Sequence, residues 1–585
     1  MAGQRHTALR LAASLLLLTV AAGGSAGAAP VRGTGPGTGP DPGAGADGAD
    51  APTGGFGALV PVPVSAEPGG SPYRITRGTR ILVQDTPEVR GIGEYLAGLL
   101  RPSTGYRLPV TGTGLAVTGT GEKPGASQES QGEDLDDGPG DGLGDGPGEE
   151  GSGGIRLRLA DGPWGEEGYR LTSGRSGVTV TALRPAGLFH GVQTLRQLLP
   201  AEVESREVRP GPWKVPGGVV EDRPRYAYRG AHLDVARHFF TVDQVKRYID
   251  QLALYKINTL HLHLTDDQGW RLAIDSRPRL TAVGGATEVG GTPGGYYTKD
   301  QYREIVAYAA SRHLEVVPEI DVPGHTNAAL TSYPELNCDG VAPPPYTGIE
   351  VGFSSLCVGE EATYDFVEDV IREVAALTPG RYLHIGGDEA HSTPDEDYAA
   401  FMARVQPVVA AYGKTVIGWH QLTAAAPAPG ALVQYWGYDD TDAAERDRVA
   451  EAARAGTGII LSPADRAYLD MKYTADTPLG LDWAGLVEVR RAYDWDPGTY
   501  LAASGVPESA VRGVEAPLWT ETLTTSQELE FMAFPRLPGI AELGWSPASA
   551  HGWEGYRERL AAQAPRWDAM GVAYHRSPQV PWPSG

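Results

Sequence analysis

Beginning near residue 222, short β-rich runs recur eight times over about 300 residues, with amphipathic helical stretches between several of them. The runs are AHLDVAR (231–237), INTLHLHLTDD (257–267), LEVVPEID (314–321), RYLHIGGDE (381–389), KTVIGWH (414–420), ALVQYWG (431–437), GTGIILSP (456–463) and VRGVEAPLWTE (511–521). A parallel strand is reached only through a crossover, so strand–helix alternation selects a parallel sheet, and eight units point to a (β/α)8 TIM barrel of the α/β class. The helices carry their own start signals. Thr241 with Gln244, Thr298 with Gln301 and Thr393 with Glu396 are spaced as capping boxes. Over 361–378, Phe366, Val367, Val370, Ile371 and Val374 fall on one helical face. The stretch after the seventh run, 464–510, is long, irregular and rich in Tyr, Trp and Asp.

In a barrel of this kind chemistry gathers where the strands end. Those ends read Arg237-His238, Asp266-Asp267, Asp321 with His325, Asp388-Glu389, Trp419-His420, Trp436, and Trp519 with Glu521. One Asp-Glu dipeptide is ordinarily a solvated turn, and one Trp is as often core as site. A whole rim of carboxylates and indoles is what a sugar needs: indole faces cover the C–H faces of a pyranose, while carboxylates accept its hydroxyls and move protons. The sharpest signal is His384-Ile385-Gly386-Gly387-Asp388-Glu389. Its two glycines let the chain bend at the strand exit, so both carboxyls can reach one pocket. Carboxyls so close do not ionise independently; one is expected to rise and serve as proton donor while its neighbour stays an anion.

These motifs resemble the family 20 glycoside hydrolases, the β-N-acetylhexosaminidases, especially the secreted bacterial type. The resemblance rests on LDVARHF (233–239), HLHLTDDQGWR (261–271), PEIDVPGHTNA (318–328), HIGGDEA (384–390), GWHQ (418–421), QYWG (434–437), YLDMKY (468–473) and APLWTE (516–521), in order across 222–585. It implies exo-acting, retaining release of terminal GlcNAc, and of GalNAc, from oligosaccharides or glycoconjugates. The implied mechanism is substrate-assisted, with the 2-acetamido oxygen attacking the anomeric carbon to give an oxazolinium ion. Glu389 would be the general acid/base, Asp388 would orient the acetamide N–H, and Tyr468 would donate to the acetamide oxygen. Arg237, Asp470 and Glu521 would read ring hydroxyls, Trp419 and Trp436 would wall the acetamide pocket, and Trp519 would pack on the ring. Asp321 and His325 would form a relay positioning Glu389, with Asp266 a similar supporting residue. The resemblance implies no cofactor and no metal.

The first 221 residues are organised differently. Arg5 and Arg10, the apolar Leu11–Ala22 and the small residues 25–29 read as a cleavable signal peptide over 1–29, and hence a secreted enzyme. The apolar run is shorter than the ~20 residues a membrane span needs. Residues 30–57 read as a Gly/Pro linker, and 58–221 as a small α+β domain of the type that precedes the barrel in this family. That domain is interrupted by a Gly-rich insert at 112–154. Residues 121–150 hold 10 Asp or Glu and one Lys, net −9 of the chain's −24, so the insert has too little apolar content to fold. The acidity argues against nucleic acid or an anionic membrane as partner. In an exported chain Cys338 and Cys357 are expected to pair, with two free thiols the alternative.

Two rivals come from other classes. His261 and His263 put two imidazoles on one strand face with Asp266 nearby, as a metal-dependent barrel hydrolase would, although further ligands are missing at the later strand exits. A non-catalytic carbohydrate-binding protein could also use this barrel, but loss of activity usually removes the acid, and both Asp388 and Glu389 are present.

Overall fold

The computed structural model describes residues 55–113 and 153–584. The expected signal peptide over 1–29, nearly all of the expected 30–57 linker and most of the expected 112–154 insert lie outside the described residues. Among the described residues no helix is long and apolar enough to cross a membrane.

The first part contains β1 (Ser65–Pro68), β2 (Tyr73–Arg74), β3 (Ile81–Gln84), β4 (Val110–Thr113), β5 (Gly154–Leu159), β6 (Tyr169–Gly174), β7 (Gly177–Ala182), β8 (Lys214–Val215) and β9 (Gly218–Asp222). Seven of these form one mixed sheet in the order β1-β9-β6-β7-β5-β3-β4, and β2 pairs with β8. Helices Pro87–Thr104 and Pro185–Leu198 pack on this sheet and on each other. Leu188, Val192, Leu195 and Leu199 are buried there, as their helical spacing requires. The first helix approaches the sheet so closely at Gly93 that a Cβ would sit 2.7 Å from Val83 Cγ1. The insert is shorter than its composition suggests. Gly112 and Thr113 belong to β4 and Gly154 opens β5, because pairing with β3 recruits the first two and pairing with Gly177 of β7 recruits the third.

The second part is a closed barrel of β10 (Tyr228–Asp234), β11 (Thr259–His263), β12 (Glu315–Glu319), β13 (Tyr382–His384), β14 (Thr415–Trp419), β15 (Leu432–Tyr435), β16 (Gly458–Leu461) and β17 (Val511–Ala516). All eight expected runs contribute a strand, and β10 pairs in parallel with both β11 and β17, which closes the ring. The capping boxes at Thr241/Gln244 and Thr298/Gln301 are formed. The one expected at Thr393/Glu396 is not: that helix starts at Asp395 with Pro394 at its N-cap, and the Thr393 hydroxyl bonds Ser355 instead. A box at Thr525/Glu528 opens the helix Ser526–Ala533. The helix Glu361–Leu377 buries Phe366, Val367, Val370, Ile371 and Val374.

Cys338 and Cys357 are bonded, closing the loop that follows β12. In the chain-entropy picture a loop of this size restricts the unfolded state by roughly 3 kcal/mol. The two parts of the molecule meet around one buried carboxylate. Asp222, at the end of β9, accepts from Tyr169 Oη at 2.9 Å, from Lys256 Nζ at 2.9 Å and from Trp545 Nε1 at 2.9 Å. Lys256 follows the barrel helix Val242–Leu254, and Trp545 ends the helix Arg536–Trp545.

Candidate active site

The exit of β13 shows how the sequence makes a site. Gly386 and Gly387 take φ of +62° and +95°, the left-handed region that glycine enters without penalty. A Cβ on Gly386 would lie 1.7 Å from Asp321 Oδ1, and Gly387 N–H donates to that same oxygen at 2.9 Å. The Asp321 carboxyl therefore occupies the space a side chain would need, and the backbone folds around it. Glu389 follows with φ +45° and His325 sits at φ +55°, both strained for non-glycine residues. The result is that one imidazole touches both carboxyls. His325 Nε2 lies 3.4 Å from Glu389 Oε2 and 3.7 Å from Asp388 Oδ2.

The other nitrogen of His325, Nδ1, bonds Asp266 Oδ1 at 3.2 Å. The expected relay through Asp321 is thus built with Asp266, while Asp321 holds the Gly387 amide and lies against Asp388. The chain geometry explains the exchange: Asp321 is turned toward the β13 exit, whereas Asp266 leaves β11 on the side facing His325. Burial opposes a charge on His325, but Asp266 and Asp388 outweigh it and hold the ring protonated well above the usual histidine range.

The two adjacent carboxyls split in the opposite sense from a simple acid–anion expectation. Burial, with Glu389 as a like charge, pushes Asp388 up to about 6 against the pull of His325. Burial also raises Glu389, yet its bond to His325 overrides this and leaves it below the usual glutamate range. Asp321, buried and beside Asp388, is held well above the carboxylate range. Glu389 therefore faces a protonated neighbour, His325, at 3.4 Å.

Around these groups lie the expected sugar-reading residues. Arg237 is buried, 2.9 Å from Asp266 Oδ2 through Nη2, with its guanidinium 4.8 Å over the Trp519 ring. Arg237 Nε and Nη1, Asp388 Oδ1 and Asp470 Oδ2 have no hydrogen-bond partner among the described residues, although Nη1 lies 3.6 Å from Asp234 Oδ2. Burial raises both Asp470 and Glu521; the Glu521 charge adds to the effect on Asp470, while Asp234 and Asp266 add to that on Glu521 against the pull of Arg237. Tyr468 is buried against Trp519 at 6.3 Å, and burial together with Asp388 lifts its phenol well above the ordinary range. Trp436 is partly buried and donates through Nε1 to Gln421 at 3.0 Å. Trp419 is fully covered, with its Nε1 donating to Glu319 at 2.9 Å, so it forms a floor rather than an exposed wall.

Two residues of this region escape the motif reading. Trp483 is 46% exposed and stands edge-on to Trp436 at 6.0 Å and to Tyr468 at 5.8 Å, completing an aromatic enclosure. It lies in the irregular 464–510 stretch, whose surplus of aromatic residues was its only signal. Glu319 is the other; it is fully buried inside the barrel.

His261 and His263 do not present free ligand atoms. Each ring has both nitrogens against carboxylates: Glu515 at 2.8 Å and Glu319 at 3.0 Å for His261, Glu319 at 2.6 Å and Asp266 at 2.8 Å for His263. Groups such as His232, His261 and Glu319 bring donor atoms within 4.8 Å of one another, but Glu319 is there engaged by His263 and by Trp419 Nε1. A cavity of about 1130 Å³ lies between helix Pro87–Thr104 and the barrel helices Val242–Leu254 and Lys299–Ala310. It holds none of the groups above, and the chemistry of the barrel mouth outweighs its size.

Comparison with known proteins agrees with this geometry. Residues 226–397 and 391–548 match the model of the glycosyl hydrolase family 20 catalytic domain, and residues 57–223 match domain 2 of the same family. A β-N-acetylhexosaminidase of Cellulomonas fimi is 44% identical over 528 residues, 90% of this chain and 97% of its own length. Among solved structures, the family 20 β-N-acetylhexosaminidase of Streptomyces coelicolor A3(2) superposes with a TM-score of 0.83 at 67% identity, covering 90% of this chain and 99% of that one. A mutant Streptomyces plicatus β-hexosaminidase in complex with the product GlcNAc superposes equally well at 66% identity, covering 90% and 98%.

Proposed function

The chain belongs to glycosyl hydrolase family 20 and is a β-N-acetylhexosaminidase, and from that premise we propose how its residues divide the release of terminal β-linked GlcNAc. The observation that carries the assignment is the single imidazole of His325 in reach of both Asp388 and Glu389, with Asp388 Oδ1 unpartnered inside an aromatic enclosure.

The acetamide of the substrate enters between Trp436, Trp483, Tyr468 and the Trp419 floor. Its N–H donates to Asp388, whose anion orients the amide and stabilises the positive charge that develops on nitrogen. Tyr468 donates to the acetamide oxygen, aligning it on the anomeric carbon. As that oxygen forms its bond to C1, the C1–O bond to the leaving group breaks, and Glu389 delivers a proton to the departing oxygen. That proton comes from His325, which returns to the neutral form. Glu389, again an anion, next takes a proton from the water that opens the oxazolinium ion and returns it to His325, and the two displacements retain configuration. Arg237, Asp470 and Glu521 read the hydroxyls of the terminal sugar, which suits an exo-acting pocket. Chito-oligosaccharides present this end, and GalNAc-terminated glycans present its C4 epimer with the same 2-acetamido group.

The test is hydrolysis of aryl β-N-acetylglucosaminides and of chitobiose by wild type, Asp388→Asn and Glu389→Gln. Each variant is expected to lose activity by about 10²-fold or more. Glu389→Gln should keep more activity on a dinitrophenyl substrate, whose leaving group needs no proton. Undiminished turnover by Asp388→Asn, or wild-type activity on the matching glucoside equal to that on the GlcNAc substrate, would overturn the acetamide-assisted reading.

A further inference from the structure

Barrel interiors of this fold are normally layers of branched apolar side chains. Here the layers beneath the mouth hold His232, His261, His263, Glu319, His384, Gln434 and Glu515, all fully buried. Burying so many ionisable groups is unfavourable unless each is paired. The pairing forms one continuous chain. Tyr228 and Gln434 donate to Glu515, at 2.5 Å and 2.7 Å. Glu515 meets His261, and His261 Nε2 lies 3.0 Å from Glu319 Oε2. Glu319 Oε2 also takes His263 Nδ1 at 2.6 Å, and the far nitrogen of His263 reaches Asp266 Oδ2 at 2.8 Å. Asp266 then holds His325, and His325 faces Glu389. Carboxylates and imidazoles alternate from the barrel interior to the catalytic acid.

The protonation states follow from the contacts. His263 has a carboxylate oxygen at each nitrogen, so both N–H groups are used and the ring is an imidazolium; burial opposes this and Glu319 supplies the largest compensation. The neighbouring rings that lack such a pair, His232 and His384, are pulled down by burial and stay neutral. Glu319 is the group on which this pattern turns. Its Oε2 binds His263, while its Oε1 accepts from Trp419 Nε1 at 2.9 Å and lies 3.0 Å from His384 Nδ1. With the carboxylate fixed on two sides, His263 is held against Asp266 Oδ2, which it shares with Arg237 Nη2, while Asp266 Oδ1 takes the Asp267 amide and His325.

We propose that Glu319 is a positioning residue for the acid/base: it fixes His263 as an imidazolium, His263 fixes Asp266, and Asp266 aims His325 at Glu389. The inference rests on the reading of Glu389 as the proton donor. No substrate atom reaches Glu319; its effect passes through three side chains, each within hydrogen-bonding distance of the next.

The experiment is Glu319→Gln, which keeps the shape and removes the charge, assayed on a phenyl β-N-acetylglucosaminide and on its dinitrophenyl counterpart. On the phenyl substrate kcat is expected to fall about tenfold or more, with KM changed less than about twofold, because aim rather than sugar binding is lost. On the dinitrophenyl substrate the loss should be about threefold or less. Equal losses on both substrates, or no loss on either, would overturn the proposal, since a merely structural defect does not distinguish leaving groups. If Glu319→Gln does not fold, His263→Gln, one contact nearer the acid, is measured in the same way and judged by the same outcomes. The Glu389→Gln control separates the two readings. If that variant shows the leaving-group dependence and the Glu319 and His263 variants do not, the relay fails while the assignment of the acid stands.

Discussion

At the residue scale the most informative group is Asp388. Its carboxyl ionises at about 6 in the folded chain, against about 4 for an aspartate in an unfolded one. Between those values the folded state keeps a proton that the unfolded state has lost, so stability falls as pH rises through this window and stays lower above it. Asparagine does not ionise and escapes that penalty. Asp388→Asn is therefore expected to be more stable than wild type at pH 8, by about 1–3 kcal/mol, and to converge with it near pH 4; thermal melts across pH check this, and a difference that does not vary with pH contradicts it. On the proposed mechanism activity runs the other way, because the acetamide N–H is to be held by the anion, so the anion assigned to the chemistry is one the fold disfavours.

At the scale of the element, the β13 exit is built by three residues no single one of which would suffice. Gly386 lets Asp321 into the space of a side chain, Asp321 holds the Gly387 amide, and the bend delivers Asp388 and Glu389 to one imidazole. Gly386→Ala would place a methyl at φ +62° and against the Asp321 carboxyl. It should lower kcat by about 10²-fold, since displacements near 1 Å at the reacting groups have that effect, while the far-ultraviolet circular dichroism stays that of the wild type. Near-wild-type turnover would show that the bend tolerates a Cβ. The strand ends were legible in the sequence because strand and helix periodicities differ, and the paired glycines before two acids marked the bend. The Thr393/Glu396 box was misleading because the same spacing can be spent elsewhere. Pro394, fixed near φ −60°, takes the cap position, and Ser355, distant in sequence, captures the Thr393 hydroxyl.

At the scale of the whole molecule, the α+β domain is joined to the barrel by buried polar contacts centred on Asp222. Asp222→Asn keeps the shape but leaves the Lys256 ammonium buried without its counter-charge. Breaking a buried pair in this way typically costs about 3–5 kcal/mol. Because Tyr169 and Trp545 from the two parts converge on the same carboxylate, denaturant unfolding should shift to lower concentration as one transition. A second, separate transition would show that the barrel stands without its partner domain.

The architecture was readable from the sequence alone, and so were the candidates for the reacting residues. Hydrophobic periodicity sets which segments are strands and helices, alternation sets a parallel closed sheet, and Asp388, Glu389, Tyr468 and Arg237 lie in contiguous motifs that can be read locally. Only the tertiary structure decided which side chain serves which. That Asp266 and not Asp321 takes the far nitrogen of His325, that Asp388 and not Glu389 is the raised carboxyl, and that Trp483 closes the pocket all depend on groups brought together from distant strands and loops. Glu319 states the reason most plainly. As one acid in PEID it looks like any strand-end carboxylate, and its meaning comes from His261, His263, His384 and Trp419 on three other strands. Pairing energies and proton positions fall off within a few ångströms, and distances of that size between strands exist only once the barrel has closed.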